Sequence, residues 1–421
     1  MAASQPVTPA RRVLMLCYYY PPINTSGTAR AVRFATHLRE AGWQPTVLTV
    51  EHPKDTWSII DMHSPVPEGV PVVRVRELDL NRPVDLLDAA INRLTRRRGV
   101  LARESLCIPD PQIGWTAWAR GIALARSHDC LYASCSPFSS AVTAAWLKQL
   151  TGTPLVLDFR DAWTLNPYNR PNRWHRAAIG RLERWVIGAC DRLILNTEGA
   201  LRRYQAAYPQ HAAKMTWIPN GFERPNPATP TPPTGPFVVM HTGALYGNRS
   251  PELLLQTLER MPECEPEFVQ VGPCPKSLTQ YRGAVRVHTP GSLPRAEALE
   301  RLRGASLLYL KQGWTTRPED NIAVAAKTFD YLATGLPVLA ECPPGDNADL
   351  VRRYASRAYL VTEDSPAAME AALREAYAQR GEAPVIKEAF LREFSPQALT
   401  ARLAAVLAEA LAEPGLRRTA C

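Results

Sequence analysis

The chain has 421 residues, 46% of them hydrophobic and 21% charged, with a formal net charge of +9. This length accommodates two domains of ordinary size, and the composition is that of a globular protein rather than a disordered or fibrous one. No apolar run reaches the roughly 18 residues of a membrane span, and MAASQPVTPARR lacks a signal peptide's apolar segment. The nine scattered cysteines are odd in number and contain no Cys-x-x-Cys, which points to reduced thiols in a cytoplasm rather than to disulfides or zinc. The positive charge suits a nucleoside diphosphate, an anionic membrane surface or nucleic acid without choosing among them.

In chain order, 13–17 reads as an apolar strand, 29–41 as a helix closed by Gly42, and 45–50 and 72–75 as strands. Helix 115–126, strand 131–134, helix 139–149, strand 154–158, helix 173–189 and strand 192–196 follow. Strands alternating with helices of this length imply a parallel sheet covered on both faces. Asn220-Gly221 marks a turn, and ERPNPATPTPPTGP reads as a semi-rigid linker. The rhythm restarts at 237–241 and runs to about 362; the final helical pattern is 396–413. The predicted organisation is an N-terminal Rossmann-like domain over 1–222 and a linker over 223–236. A second Rossmann-like domain covers 237–395, and a last helix over 396–421 returns to the first. Two basic amphipathic stretches also occur. In 84–98, Leu86, Leu87, Ile91 and Leu94 alternate with Arg93, Arg96, Arg97 and Arg98; in 170–184, Trp174 and Ile179 lie among Arg173, Arg176, Arg181 and Arg184. Such stretches are either solvated helices or membrane-surface helices.

Four segments can carry chemistry. The loop YYYPPINTSGTARAVRF leads from the first strand into the first helix, where Asn24, Thr25 and Ser26 can cap the helix and Gly27 lets backbone come close to an anion at the unpaired N–H groups. It is not Gly-x-Gly-x-x-Gly, so the nicotinamide fingerprint is not met. In LVLDFRDAW a strand runs out into Asp158, Arg160 and Asp161, charges too costly to bury unpaired at a strand's carboxyl end. They read as a site, or as one internal ion pair plus one functional carboxylate. SPFSS lies beside the same crevice. In HTGALYGNRSPELLLQTL, Gly243 follows a strand and Arg249 precedes a helix capped by Ser250, where a guanidinium can grip a diphosphate. In KTFDYLATGLPVLA, a helix stopped by Gly335 carries Lys327 and, one turn later on the same face, Asp330. Lys327 would add a second cation, Asp330 would accept from hydroxyls, and Glu319, Asp320 and Asn321 lie upstream. No Asp-x-Asp, P-loop, nucleophile elbow or His-Glu-x-x-His occurs, so no metal and no cofactor is expected. The eight histidines are dispersed and read mostly as surface or packing groups.

In order, YYYPPINTSGTARAVRFATHLREAGW, IPDPQIGW, SPFSSA, VLDFRDAW, WIPNGFE, HTGALYG and KTFDYLATGLPVLA resemble the bacterial family 4 glycosyltransferases of exopolysaccharide and O-antigen clusters, over nearly the whole chain. The resemblance implies a GT-B fold, two doubly wound α/β domains facing a central cleft. It implies retaining sugar transfer from a nucleoside-diphosphate sugar to a saccharide or polyprenyl-linked acceptor. By resemblance, Ser26, Gly27, Thr28, Gly243, Arg249, Lys327 and Asp330 bind the donor, and Asp158, Arg160 or Asp161 meets the acceptor. Asp161 is the candidate for orienting or deprotonating its hydroxyl. The family's Glu-x7-Glu motif has its second Glu at Asp330, but its first falls on Ile322, and Ala141 stands where many relatives carry His. The expected location is the cytoplasm, peripheral at the inner membrane face. A sugar-nucleotide epimerase of the same fold and a non-catalytic scaffold subunit are the competing readings; nucleic-acid binding finds no recognised module.

Overall fold

The computed structural model describes residues 10–23, 25–51, 66–78, 80, 83, 86, 89, 90, 93, 107–115, 117–168, 172–228, 235–247, 249–315, 317 and 321–412. Over these the chain forms two compact units, one drawn from 1–196, 200–218 and 399–421, the other from 197–199 and 219–398.

The first unit holds β1 (Arg11–Cys17), β2 (Trp43–Val50), β3 (Val72–Val75), β4 (Cys130–Cys135), β5 (Leu155–Phe159), β6 (Arg192–Leu195) and β7 (Met215–Trp217). They form one parallel sheet in the order β3-β2-β1-β4-β5-β6-β7. The central strands read as continuous apolar runs because helices bury both faces. These helices are α1 (Ser26–His37), α2 (Ala117–Arg126), α3 (Ser139–Thr151), α4 (Arg173–Ala189) and α5 (Glu198–Ala207). The first strand order reverses between β1 and β4, the switch point at which open α/β sheets bind ligands beyond their strands' carboxyl ends.

The second unit repeats the plan with β8 (Val238–Thr242), β9 (Glu267–Val271), β10 (Arg286–Gly291), β11 (Leu307–Lys311), β12 (Val338–Glu341) and β13 (Ala358–Val361), ordered β10-β9-β8-β11-β12-β13. Its helices are α6 (Glu252–Leu258), α7 (Lys276–Thr279), α8 (Arg295–Leu302), α9 (Ala326–Leu332), α10 (Asp346–Tyr354), α11 (Pro366–Ala378) and α12 (Glu388–Phe394). The fold is the two-Rossmann GT-B architecture expected from the sequence.

The last helix, α13 (Pro396–Ala412), inserts Leu399, Leu403, Val406, Leu407 and Ala410 into the core formed by Val13, Met15, Phe34 and Tyr132 of the first unit. That i, i+4, i+7, i+8 spacing is one apolar helix face. The stretch read as a linker starts differently. Asn226 and Ala228 donate backbone N–H groups to the carbonyls of Ala333 and Thr334, and Asn226 Nδ2 donates to Leu299 O, so 223–228 is bound to the second unit. The basic stretch 84–98 and residues 229–234, 319 and 320 lie largely or wholly outside the described residues.

Candidate functional site

Five side chains and turns meet at the carboxyl end of β8, beside that unit's switch point. Val238–Thr242 ends in Gly243, which has φ +91°. A Cβ there would stand 3.0 Å from Lys327 Nζ. Glycine therefore lets the lysine, near the start of α9, lie across the backbone. Lys327 Nζ is 2.8 Å from His241 Nε2. His241 is fully buried, and its Nδ1 is 2.6 Å from Gln270 Oε1 on β9. Gln270 Nε2 donates to Gly243 O at 2.7 Å, which turns its oxygen toward the imidazole. Nδ1 thus donates and Nε2 accepts from Lys327. Burial, and then the Lys327 charge, hold His241 well below the ordinary imidazole range. Burial, and then Arg249, pull Lys327 down to about 7. Arg249 lies over the Tyr246 ring at 4.7 Å. Among the described residues, neither cation has a carboxylate at ion-pair distance. Two cations without a counter-anion are an electrostatic cost that a bound diphosphate would offset.

Asp330 has a different partner. Its Oδ1 accepts from Arg295 Nη2 at 2.9 Å, and Arg295 also binds Glu223 through Nε at 2.9 Å. The i, i+3 spacing places Lys327 and Asp330 on one helix, but the carboxylate is engaged by α8 rather than standing open beside the lysine. Asn321 is likewise used in its loop, donating from Nδ2 to Pro344 O at 2.8 Å. Ser250 does not cap α6; the cap position is Pro251, while Ser250 Oγ accepts from Glu252 N–H at 3.3 Å.

In the first unit the glycine loop, SPFSS and LVLDFRDAW converge at the carboxyl ends of β1, β4 and β5. Arg160 joins them. A Cβ on Gly27 would lie 1.9 Å from Arg160 Nη1, so only glycine leaves room for that guanidinium at the start of α1. Arg160 N–H donates to Cys135 O at 2.6 Å, its Nη2 bonds Ser136 O, and its Cζ lies 5.8 Å from the Tyr19 ring centroid. Phe138 of SPFSS stacks on Trp163 at 4.4 Å and meets Phe159 edge-on at 5.3 Å. This aromatic cluster fixes the turn that carries Asp161, whose side chain is exposed.

Asp158 must be withdrawn from the catalytic candidates. It is 0% exposed and receives Arg30 Nε at 2.7 Å, Arg30 Nη2 at 2.9 Å and the Tyr132 hydroxyl. It is the internal half of the alternative drawn from the sequence, with Asp161 the solvent-facing carboxylate. The Thr28 hydroxyl is also used internally, donating to Ile23 O at 2.8 Å. The position of Ser26 is the first residue of α1. Among the described residues, no group of three or more His, Cys, Asp or Glu side chains is arranged to hold a metal ion.

The sequence reading missed His241, Gln270 and Arg295. His241 sits in an apolar strand and looked like packing. A polar pair at adjacent strand positions, His241 against Gln270 in the β8–β9 register, was the available signal.

Residues 26–221 match the model of the glycosyl transferase 4-like domain. HepE from Anabaena, solved with UDP, superimposes with a TM-score of 0.62 at 14% identity, covering 94% of this chain and 99% of that one. A glycosyltransferase from Rickettsia africae gives 0.62 at 12% identity, with 96% and 99% covered. The fold of the chain is GT-B, and its residues 26–221 are similar to the glycosyl transferase 4-like domain. Sucrose-phosphate synthase from Thermosynechococcus elongatus shares this GT-B fold, with a TM-score of 0.56 at 14% identity over 95% and 96% of the two chains. No curated protein matches the sequence. Identities this low carry the likeness of fold alone.

Proposed function

We propose that this GT-B protein is a retaining glycosyltransferase that takes a nucleoside-diphosphate sugar as donor and a saccharide or lipid-linked acceptor, in surface polysaccharide or glycoconjugate assembly. The observation that carries the reading is the Arg249–Lys327 pair, two cations without a described carboxylate partner at the carboxyl end of β8. In the transfer, the bond from the anomeric carbon to the diphosphate oxygen breaks and a bond to the acceptor oxygen forms. Charge grows on the leaving diphosphate, and fixed cations aimed at it stabilise the transition state more than the ground state. Asp161 is the group we assign to the acceptor hydroxyl, orienting it or taking its proton. HepE structures with UDP and with UDP-glucose make uridine the first base to try. The test is a thermal-shift screen with UDP, GDP, dTDP and their sugars on wild type and Lys327→Ala. A ligand at 100 times its Kd stabilises by about 2.7 kcal/mol. A shift selective for one base, and lost in the variant, is expected; no shift with any nucleotide would favour the scaffold reading.

The acceptor is read as membrane-borne from the surface of the first unit. Helices α2, α3 and α4 are neighbours, and Trp118, Trp146 and Trp174 are 57%, 52% and 74% exposed on them. Arg120, Arg126, Arg173, Arg176, Arg181 and Arg184 are exposed alongside. The only acid in these three helices, Glu183, is buried beneath Tyr204 and Tyr208. Tryptophans among arginines, without exposed acids, suit the interface of an anionic bilayer, where each basic residue contributes about 1 kcal/mol. No described helix is long and apolar enough to cross a membrane. Flotation should recover the protein with vesicles containing phosphatidylglycerol at low salt, and less after Arg176→Glu/Arg184→Glu. Equal recovery with neutral vesicles, or none with either, would remove the membrane from the proposal.

A further inference from the structure

Lys327 is an unusual diphosphate ligand, and its surroundings carry one more step, which rests on the proposed function. Among the described residues, its hydrogen-bond partner is a neutral imidazole rather than a carboxylate. That imidazole is in turn fixed by an amide whose other end is tied to the turn at Gly243. The three side chains come from three elements, β9, β8 and α9. They form a line from the Gly243 backbone carbonyl to the ammonium.

We infer that His241, held by Gln270, is a positioning residue that aims Lys327 at the donor diphosphate, and that diphosphate binding draws a proton from solvent onto this lysine. The geometry explains both parts. An imidazole with Nδ1–H engaged presents only a lone pair at Nε2, so it orients the lysine through one bond without neutralising it. A carboxylate in that place would hold the charge permanently and compete with the diphosphate. The groups facing the corner do not supply the missing anion. On the lysine's own helix, Asp330 is bound by Arg295, and the Tyr331 hydroxyl accepts from Thr242 N–H at 2.8 Å. On β11 and β12, the Tyr309 hydroxyl and Lys311 both bond Glu341. At the start of α6, Glu252 accepts from Gln256, and the loop before it contributes Arg249, a second positive charge. Burial and Arg249 leave Lys327 with a pKa of about 7. A diphosphate reverses the balance by placing negative charge beside the amine, so its pKa rises and one proton is taken up. The sign follows: anion affinity is fully present below about pH 7, and falls as pH rises toward the pKa of the bound state.

The experiment is titration calorimetry of the full chain with UDP and, independently of the base, with inorganic pyrophosphate. It is run from pH 6 to 9 in pairs of buffers that differ in ionisation enthalpy. Wild type should take up close to one proton at pH 8, and its affinity should fall about tenfold per pH unit above 7. Lys327→Met should take up none. His241→Phe, which removes the acceptor, should weaken binding about tenfold and move the onset of the pH dependence down by about one unit. His241→Gln, which restores an acceptor oxygen, should recover most of both. A merely structural role for His241 would lower affinity equally at every pH. An unchanged pH profile in His241→Phe, or proton uptake that persists in Lys327→Met, overturns the inference and leaves the diphosphate reading standing. Absence of uptake by wild type at pH 8 does the same without any variant. Failure of wild type to bind either anion at any pH overturns both.

Discussion

Lys327→Met should sharply slow the proposed sugar transfer and make the ligand-free protein more stable. The two effects share one cause. The lysine is half-buried near Arg249 without a described carboxylate, and desolvation and that charge lower its pKa from 10.5 to about 7. Unfolded, the same lysine stays protonated up to about pH 10.4. Between the two values the unfolded chain binds more protons, so stability rises with pH across this window, and at pH 7 the penalty is nearly all present. Methionine removes the charge while keeping the shape of the stem. It also leaves His241 Nε2 without its donor, which costs about 1 kcal/mol. The net gain should be on the order of 1–3 kcal/mol, a rise of roughly 2–10 °C in Tm. The loss in kcat/KM should be about 10²–10⁴-fold, the usual consequence of deleting a group aimed at developing charge. Melts at pH 7 and pH 9 check the mechanism. Wild type should gain stability between the two and the variant should not. A variant that melts lower than wild type at pH 7 would contradict this account of the lysine.

The fold was legible because its signals are local and repeated. Apolar runs such as those of β1 and β4 alternate with amphipathic helices, and that rhythm specifies parallel sheet. Helix α4 fell on 173–189, where its polarity pattern placed it. Short elements were not legible: β7 has three residues, Met215–Trp217, and α5 has a weak apolar face in EGALRRYQAA, so neither stood out. The candidate site was legible where chemistry and backbone constraint coincide. Gly27 and Gly243 marked close approaches, and Arg249 and Lys327 were cations placed next to the ends of elements where a diphosphate could be gripped. What the sequence could not supply was pairing between distant positions. Asp158 and Asp161 look equivalent three residues apart. Arg30, 128 positions away from Asp158, is what separates them. In the same way Asp330 looked like Lys327's companion until Arg295 engaged it, and His241 looked inert until Gln270 and Lys327 stood at its two nitrogens.

The Arg30–Asp158 pair supplies the largest stability effect expected. Both side chains are at most 1% exposed, and the carboxylate takes two bonds from the guanidinium and one from Tyr132. Arg30 Nη2 also donates to Ile218 O at 2.8 Å, which ties α1 to the segment after β7, and its Cζ lies 5.0 Å from the Phe34 ring centroid. Asp158→Ala would leave a guanidinium buried without its counter-ion and the Tyr132 hydroxyl without its acceptor. Removing one partner of a buried pair costs about 3–5 kcal/mol, whereas replacing both by apolar side chains of similar volume is often close to neutral. Asp158→Ala should therefore lower Tm by roughly 6–20 °C. The double variant Arg30→Met/Asp158→Leu should recover most of that loss, discounted for the bond to Ile218 and the stranded tyrosine. The exposed carboxylate three residues on behaves oppositely. Asp161→Ala should change stability by less than about 0.5 kcal/mol and lower kcat by about 10²–10⁴-fold if it meets the acceptor hydroxyl. Comparing the two by calorimetry and by turnover per folded molecule separates support from chemistry along one strand end. An Asp158→Ala protein as stable as wild type would mean that the ion pair is not formed in solution. An Asp161→Ala protein with undiminished turnover would return the acceptor role to Arg160 or to a residue outside this turn.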